Sequence, residues 1–468
     1  MAPSEPKYLC RSSIALPMYV RVGLVVDDIL DASVLHSTYA RLVELWPVLG
    51  GKLLSMFDSR RFQCGSTVDF ECRTVAEDLA SFLPFSWRGS TSPSILLDDS
   101  LGVDKRFEFS VASTSTTISR LRVTILNDAT LLWFSVCHGL CDGKGAYDII
   151  RYFSDLLCQR PIPQFVLPPD ATGGRMSELV RENREKQAAE TLVRETRNPD
   201  TFVSSHLTAL KVNWKFAADL FLSSLGLAQK LTDRLVYLPG PWVDEVRARA
   251  QKELQCGSSE FELQGVQLTR NDIIAGLYLK LVYGARRASN EPVDYIGPIN
   301  YRGLLGASEP EDTYYVHNTV ILLLCLFSEH ELQTHSIARV AARIHLATTQ
   351  YRQPAVVQHE LRLLEDKALA PAMRDIRGSI KWGSAMVSPW TTFDYMGLDF
   401  SGAAARKGHK PSVVFVNANV SLMFASFPSP FAITVKDGAG GYWFRGANTK
   451  RGWEDFERLV SIDSLFCS

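Results

Sequence analysis

The chain has 468 residues, of which 46% are hydrophobic and 22% charged, and these are ordinary values for a folded globular protein. Its 50 Lys and Arg residues nearly balance 51 Asp and Glu residues, so the formal net charge is −1. This balance argues against a protein that mainly binds nucleic acid or an anionic membrane, because both partners favour a basic surplus. At about 100–200 residues per domain, the length predicts two to four domains.

The cysteines and the first residues of the chain indicate the compartment. The cysteine count of 9 is odd, no CxxC pair occurs, and the N-terminus has no apolar signal core. No apolar run approaches the roughly 20 residues that a membrane-spanning helix needs. We therefore expect a soluble, cytoplasmic protein with reduced thiols.

In the first half of the chain, helical and strand-like patterns alternate. Apolar residues from Ser33 to Leu49 fall at helical spacing, which predicts a helix that is ended by Pro47 and Gly50-Gly51. Two strands are predicted at Ser119–Ile125 and Thr130–His138, with Asn127-Asp128 as the turn between them. The second of these is apolar almost throughout, which is typical of a central strand buried on both faces. A further helix is predicted from Gly143 to Cys158.

A proline-rich and highly charged stretch then predicts a long connection to a second half of similar composition. The strands predicted there are Arg234–Leu238, Asp294–Pro298, Val320–Phe327, Ser412–Asn417, Leu422–Phe427 and Ala432–Lys436. The predicted helices are Trp242–Leu254, Asn271–Leu281 with Thr269 as its N-cap, and Ser336–Gln350. Two mixed halves favour an α/β fold with two sandwich domains, at 1–165 and 234–468, joined by a crossover over 166–233.

The stretch from Phe134 to Gly145 carries the candidate chemistry. A buried strand ends at His138, Asp142 follows four residues later, and Gly143 comes directly after it. Histidine is suited to proton transfer near neutral pH, and a strand end is a rigid mount for it. The glycines leave room for a bulky ligand to approach. On this pattern alone, a histidine of the core or of a helix cap is the commoner outcome.

Other chemistries lack their motifs in this sequence. Cys137, His138 and Cys141 would supply three neighbouring metal ligands, but no second cluster completes a zinc site, so no metal is expected. The phosphate-binding GxxxxGK[ST] loop, the GxSxG elbow and a GxGxxG after a strand are all absent from the sequence.

The segment from His138 to Gly143 resembles the HxxxDG motif of the coenzyme A-dependent acyltransferase superfamily. This superfamily includes the BAHD plant acyltransferases, the trichothecene acetyltransferases, the chloramphenicol acetyltransferases and peptide condensation domains. Six further segments resemble family elements in family order over roughly residues 40–440: Trp46–Leu53 (PxLAGRL), Leu268–Ala275 (the second-domain helix start), Asn300–Arg302 (RxR), Val316–Asn318 (GN), Ser388–Tyr395 (the Ser–Trp element) and Asp399–Gly402 (DFGWG).

The chain departs from the family pattern in the last of these segments. Where BAHD enzymes have DFGWG, this chain has Asp399-Phe400-Ser401-Gly402-Ala403 and lacks the tryptophan. In the family that tryptophan can lie near the oxyanion of the reaction. The departure puts any oxyanion role of this loop in doubt, and such divergence resembles the fungal secondary-metabolite branch more than the plant enzymes.

The resemblance implies two chloramphenicol-acetyltransferase-like domains, a long crossover, and a channel between the domains with His138 at its middle. It implies acyl-CoA as co-substrate, with no prosthetic group and no metal. The expected acceptor is a hydroxyl of a hydrophobic small molecule, such as a secondary metabolite, and the acyl group is expected to be acetyl. Neither nucleic acid nor a membrane is an expected partner, and the chain is expected to be a monomer.

The resemblance also assigns roles to single residues. His138 is expected to act as general base, and Asp142, from the same motif, to pair with Arg302 and stabilise the loop. Independently of the resemblance, Cys137 and Cys141 are expected to be packing residues, since alternation along the strand points Cys137 away from His138. Loop or channel support is expected from Asp399, Gly402 and Asn318, and His317 is expected to be a core residue. By position, the predicted CoA contacts are Ser388, Trp390 and Thr391, with Arg406, Lys407 and Lys410 either at the phosphates or on a solvated basic loop.

Two other functions stay open at this stage. A condensation-like enzyme would take its acyl group from a carrier protein instead of CoA. A catalytically inactive relative would bind a metabolite or a partner, although the intact His138 and Asp142 argue against it.

Overall fold

The computed structural model describes residues 7–8, 18–55, 61–83, 90–97, 104, 106–107, 116–166, 231–257, 263, 265–284, 292–304, 313–315, 318–366, 385–406, 408–422 and 431–466. Nearly all of the predicted crossover lies outside these residues, as do His317 and Lys407.

Strands and helices are both numbered in chain order. The strands are β1 (Lys7–Tyr8), β2 (Met18–Val26), β3 (Lys52–Leu53), β4 (Arg61–Gln63), β5 (Phe70–Thr74), β6 (Ser94–Leu97), β7 (Ser119–Ile125), β8 (Thr130–Cys137), β9 (Gln164–Val166), β10 (Leu231–Leu238), β11 (Pro292–Asn300), β12 (Thr313–Tyr315), β13 (Val320–Ser328), β14 (Ala385–Pro389), β15 (Val413–Leu422), β16 (Phe431–Lys436) and β17 (Tyr442–Thr449). The helices are α1 (Ala32–Leu45), α2 (Leu79–Phe82), α3 (Gly143–Leu157), α4 (Gly240–Gly257), α5 (Arg270–Tyr283), α6 (Glu329–Thr334), α7 (Ile337–Tyr351), α8 (Pro354–Asp366), α9 (Lys450–Glu454), α10 (Phe456–Leu459) and α11 (Ile462–Phe466).

Two large sheets form the two halves of the molecule. The first has 5 strands in the order β15-β2-β8-β7-β5, and the second has 7 strands in the order β13-β11-β14-β16-β17-β10-β6. The predicted burial of β8 is confirmed, because it is the middle strand of its sheet and every one of its residues is buried. The mixed α/β architecture with two sheet-and-helix halves agrees with the predicted fold class.

Each sheet includes one strand from the other half of the chain. Strand β15 pairs with β2 along its length, and β6 pairs with β10. A buried ion cluster reinforces this exchange: Arg445 of β17 donates to both carboxylate oxygens of Asp104 at 2.7 and 2.9 Å, to Asp233 at 2.6 Å and to Asn417 of β15 at 3.0 Å. The two halves are therefore joined by main-chain hydrogen bonds as well as by packing. The domain limits at 165 and 234 stay a prediction.

Most predicted elements are confirmed with ends shifted by one to a few residues. Thr269 caps α5 as predicted, in a reciprocal capping box with Asp272. The predicted break between two strands after Asn417 is wrong, because β15 continues to Leu422. Helix α1 ends at Leu45, because Trp46 leaves helical geometry just before Pro47, one of the residues predicted to end the helix. The strands that were not predicted are β1 to β6, β9, β12, β14 and β17.

Candidate functional site

His138 lies at the junction between the central strand β8 and helix α3. Its main-chain N–H donates to the carbonyl of Met18 on the neighbouring strand at 2.7 Å. The turn closes with a bond from Leu140 N–H to the Cys137 carbonyl at 3.0 Å. Asp142 then caps α3, because its Oδ1 accepts from the N–H of Gly145 at 2.9 Å. Strand and helix together hold the histidine on a short, hydrogen-bonded turn.

The environment of His138 keeps its imidazole neutral. The residue is partly exposed, but its ring Nδ1 is buried and has no hydrogen-bond partner among the described residues. Burial lowers the pKa of His138 below its ordinary value of 6.5, while its own main-chain carbonyl and the Asp142 carboxylate oppose this shift. At neutral pH the ring is therefore able to accept a proton.

The predicted ion pair between Asp142 and Arg302 is confirmed. Arg302 Nη1 lies 2.8 Å from Asp142 Oδ2, and the N–H and Oγ1 of Thr319 donate to the same oxygen at 3.0 and 3.1 Å. Burial alone would raise the pKa of Asp142, but Arg302 and these hydrogen bonds hold it below its usual value. Among the described contacts no hydrogen bond joins Asp142 to the His138 ring, so this carboxylate braces the turn and does not orient the imidazole.

Both halves of the chain contribute to the site. Arg302 follows β11, and its N–H donates to Asn300 Oδ1 at 2.9 Å. Asn318 lies just before β13, and its Nδ2 donates to the carbonyls of His138 and Gly139 at 2.7 and 3.1 Å. The segments that carry Arg302 and Asn318 thus contact the His138 turn of the first half. The family resemblance had assigned both segments to the same set of motifs.

The two cysteines beside His138 are packing residues, as predicted. Cys137 and Cys141 are both fully buried. Burial, with a further contribution from the Asp142 carboxylate, raises the pKa of the Cys141 thiol well above its ordinary value. A protonated, enclosed thiol is a poor nucleophile, so this residue does not suit covalent catalysis.

The segment 390–403 runs along helix α3, with Trp390 at the start of the helix. A side chain at Gly143 would place its Cβ 2.7 Å from the Trp390 indole, so the glycine is what allows this contact. Trp390 Nε1 donates to Ser388 Oγ at 3.0 Å, and Thr391 Oγ1 donates to Asn271 Oδ1 at 3.0 Å. The predicted CoA contacts Ser388, Trp390 and Thr391 therefore adjoin the N-terminal end of α3, and their role stays a prediction.

The Asp399 loop packs against the opposite end of α3. Asp399 N–H donates to Ser154 Oγ at 3.0 Å, and its carboxylate accepts from Arg160 at 3.2 Å. With 1.5 Å per helical residue, Ser154 lies roughly 16 Å along the helix from Gly143, at the end of α3 that adjoins the His138 turn. Such a separation excludes direct contact with a reacting carbonyl at the histidine, in keeping with the missing tryptophan. Arg406 and Lys410 follow this loop and are exposed, and their assignment to CoA phosphates stays a prediction.

Gly402 lets the Asp399 loop approach the backbone at the end of α3, and its substitution is expected to destabilise the fold. A Cβ there would lie 1.8 Å from the Leu157 carbonyl oxygen, which is backbone and cannot rotate away. Gly402→Ala should lower the free energy of unfolding by about 1–3 kcal/mol, measured by chemical denaturation. Gly276→Ala is the matched control, because a Cβ there meets nothing nearer than 3.5 Å in the middle of α5. Equal losses in both variants would contradict this prediction.

Two contributions to the site were missed from the sequence. Thr319 supplies two of the donors to Asp142, and Asp142 is itself a helix N-cap. The capping role of Asp142 could have been predicted, since an aspartate just before a helical pattern is an N-cap signal. The role of Thr319 had only a weak signal in the sequence, namely the two polar residues Asn318 and Thr319 directly before an apolar strand.

Neither a metal cluster nor a membrane span is found in the described part of the chain. No group of three or more His, Cys, Asp or Glu side chains there is placed to hold a metal ion. None of the helices described is long and apolar enough to cross a membrane.

No protein-family model matches the chain. A curated relative, the acetyltransferase peniE of Penicillium patulum, is 38% identical over 482 residues, covering 98% of this chain and 99% of the relative.

The fold is similar to solved acyltransferase structures at low sequence identity. The crystal structure of F. graminearum TRI101 complexed with coenzyme A and deoxynivalenol has a TM-score of 0.64 at 12% identity, covering 97% of each chain. Vinorine synthase has a TM-score of 0.56 at 10% identity, covering 100% of this chain and 98% of that one. These two likenesses establish the fold alone.

Proposed function

The chain belongs to the coenzyme A-dependent acyltransferase superfamily, and from this premise we propose that it transfers an acetyl group from acetyl-CoA to a hydroxyl of a hydrophobic secondary metabolite. The observation that carries the proposal is the neutral, partly exposed imidazole of His138 on the braced turn where the two halves meet. The donor is supported by the relative peniE, an acetyltransferase, and the acceptor class by the TRI101 complex with deoxynivalenol.

In the proposed reaction, His138 acts as general base. The neutral ring removes the proton of the acceptor hydroxyl while the oxygen attacks the thioester carbonyl, and the imidazolium then protonates the departing CoA thiolate. The products are an ester and free CoA, with no acyl-enzyme. Proton transfer of this kind contributes about 10²–10⁴-fold to the rate. Holding both substrates together supplies much of the remainder.

Ser388, Trp390 and Thr391 are proposed to contact the CoA arm near the start of α3. Arg406 and Lys407 are proposed to meet its phosphate end, because Arg406 is exposed beyond the far end of the same helix and a CoA molecule is long. Asp142, Arg302 and Asn318 hold the turn, and Asp399 with Gly402 holds the loop.

A CoA-release assay tests the proposed function. The purified protein is incubated with acetyl-, malonyl- and longer acyl-CoA donors across a panel of alcohols and amines, without any carrier protein. Acetyl transfer to an alcohol is the expected result. Turnover only after addition of an acyl-loaded carrier protein would favour a condensation-like enzyme, and no turnover with either donor would favour an inactive relative.

The pH profile of kcat/KM should fall only on its acid side, and we call this decline, caused by protonation of His138, the acid limb. Because its pKa is lowered, the neutral form persists above that pKa, and activity is lost as the pH falls through it. We expect kcat/KM to be level near pH 7 and to decline tenfold per pH unit below a midpoint under 6.5, the ordinary value. A midpoint above 6.5 would contradict a neutral, buried base. Buffers of constant ionic strength are needed for this measurement.

We further propose that the protein acts in the cytoplasm as a monomer. The odd cysteine count without CxxC pairs supports a reducing compartment. His138, Arg302 and Asn318 come from one chain, so the site described needs no second copy. Sedimentation of the purified protein checks the monomer.

A further inference from the structure

Tyr314 joins the second half of the chain to helix α3 through a buried hydrogen bond. Its hydroxyl donates to Asp148 Oδ2 at 2.5 Å, and both residues are buried. Burial, with a further contribution from the Asp148 carboxylate, raises the pKa of Tyr314 well above its ordinary value of 10.0, so the hydroxyl keeps its proton and is the donor. A bond of this length to a carboxylate is among the stronger hydrogen bonds in proteins.

The ring and the main chain of Tyr314 also contact the first half. The ring stacks on Trp46 with centroids 5.3 Å apart and an angle of 8° between the planes, and the edge-on ring of Tyr152 lies 5.1 Å away. Trp46 is itself held by a bond from Nε1 to the Pro163 carbonyl at 3.3 Å. Strand β12 pairs with β9, which places Tyr314 opposite Phe165. Tyr314 is therefore fixed on the first half by a ring stack, a strand pair and a hydrogen bond.

Tyr314 lies in the connection between β11 and β13, which carries two residues of the site. The connection leaves β11 at Arg302 and reaches β13 after Asn318. Arg302 contacts Asp142, and Asn318 contacts the turn just before α3. Asp148 lies six residues after Asp142, or about 9 Å along the helix. The connection is thus attached to α3 at Tyr314 as well as to the start of α3 at its two ends.

We propose that Tyr314, through its bond to Asp148, is a positioning residue that sets where Asn318 holds the His138 turn. Asn318 comes four residues after Tyr314, so the chain between them spans at most about 14 Å, and little of it is available to absorb a shift of Tyr314. The inference rests on the proposed function, in which the rate depends on the placement of His138 against the acceptor hydroxyl. A misplacement of about 1 Å can cost about 100-fold in such a reaction.

Asp148 keeps other partners when the Tyr314 hydroxyl is removed. Its Oδ1 pairs with Lys144 and lies 3.5 Å from Arg151 Nε, and both cations are on α3. One carboxylate oxygen is therefore satisfied within the helix, while the other joins the helix to the second half. Tyr314→Phe breaks this second bond and keeps the ring that stacks on Trp46, so the variant should fold.

Kinetics of Tyr314→Phe test the proposal. The variant should lower kcat by about 10–100-fold through misplacement of the base, and it should keep the KM for acyl-CoA within about twofold. Tyr278→Phe is the matched control, because the hydroxyl of this buried tyrosine donates to the Ala447 carbonyl at 2.7 Å within the second half. It should lose similar stability with an unchanged kcat. Equal kcat values in the two variants would overturn the positioning role.

A double variant tests whether Tyr314 acts through Asn318. If it does, the kcat of Tyr314→Phe combined with Asn318→Ala should fall little below that of Asn318→Ala alone, because both changes release the same turn. A loss equal to the product of the two single losses would show independent effects and would overturn the proposed route.

Amide hydrogen exchange without substrates separates this inference from the proposed function. The N–H groups of His138 and Thr319 donate to the Met18 carbonyl and to Asp142 at 2.7 and 3.0 Å. Peptides that contain them should exchange about tenfold faster in Tyr314→Phe than in the wild type or in Tyr278→Phe. Unchanged exchange and unchanged kcat, with a wild type that turns over, would overturn the inference and leave the function standing. Faster exchange in Tyr314→Phe, with a wild type that transfers no acyl group, would do the reverse.

Discussion

Asp142→Ala is expected to lower the free energy of unfolding by about 3–5 kcal/mol, the usual cost of removing one member of a buried ion pair. The substitution removes the partner of Arg302 and the acceptor of the N–H groups of Gly145 and Thr319. It also removes the N-cap of α3, which adds to the loss. Equilibrium unfolding in urea measures the effect, and loss of activity should follow the loss of folded protein.

The matched control is an exposed ion pair at the other end of α3. Arg160, whose side chain is 46% exposed, pairs with Asp399 at 3.2 Å, and Arg160→Ala should cost less than about 1 kcal/mol. In the double variant Asp142→Ala with Arg302→Leu, the guanidinium that has lost Asp142 is removed as well, so part of the stability should return. An Asp142→Ala protein that is stable but inactive would instead place Asp142 in the chemistry.

The sequence predicts the elements that carry the site because they are long and strongly patterned. Strand β8 is apolar throughout, and α3 begins with an aspartate cap and two glycines, so the junction at His138 was readable directly. The partnership of Asp142 and Arg302, 160 residues apart, came only from the family resemblance, because spacing carries no information on such a distant contact.

The sequence alone could not predict the exchange of strands between the two sheets or the contacts of Asn318 and Trp390. Strand β15 pairs with β2 across almost the whole chain, and a strand pattern does not specify its neighbour. The contacts of Asn318 with the His138 turn depend on side-chain geometry in a packed interface. Trp390 was assigned by position, but its contact with Gly143 became visible only when the segment was placed along α3.

His138→Ala is expected to lower kcat by about 10²–10⁴-fold, the contribution of general-base catalysis, in a protein that remains folded. The fold should tolerate the change because the interactions that hold the turn are main-chain ones. The N–H of residue 138 still donates to Met18, and its carbonyl still accepts from Asn318. The ring Nδ1 has no partner among the described residues, so its removal costs no hydrogen bond there. We expect a stability change within about 1 kcal/mol.

Comparing His138→Ala with Asp142→Ala distinguishes a residue that accepts the proton from a residue that stabilises the turn. His138→Ala should keep the wild-type unfolding midpoint while the residual rate loses its acid limb, since the titrating group is gone. His36→Ala, at an exposed position on α1, is the matched control and should match the wild type in rate and pH profile. Residual turnover within tenfold of the wild type would show that another group accepts the proton. Buried and protonated, Cys141 cannot be that group, and Asp142 is tied to Arg302, so such a result would direct the search to residues outside the turn.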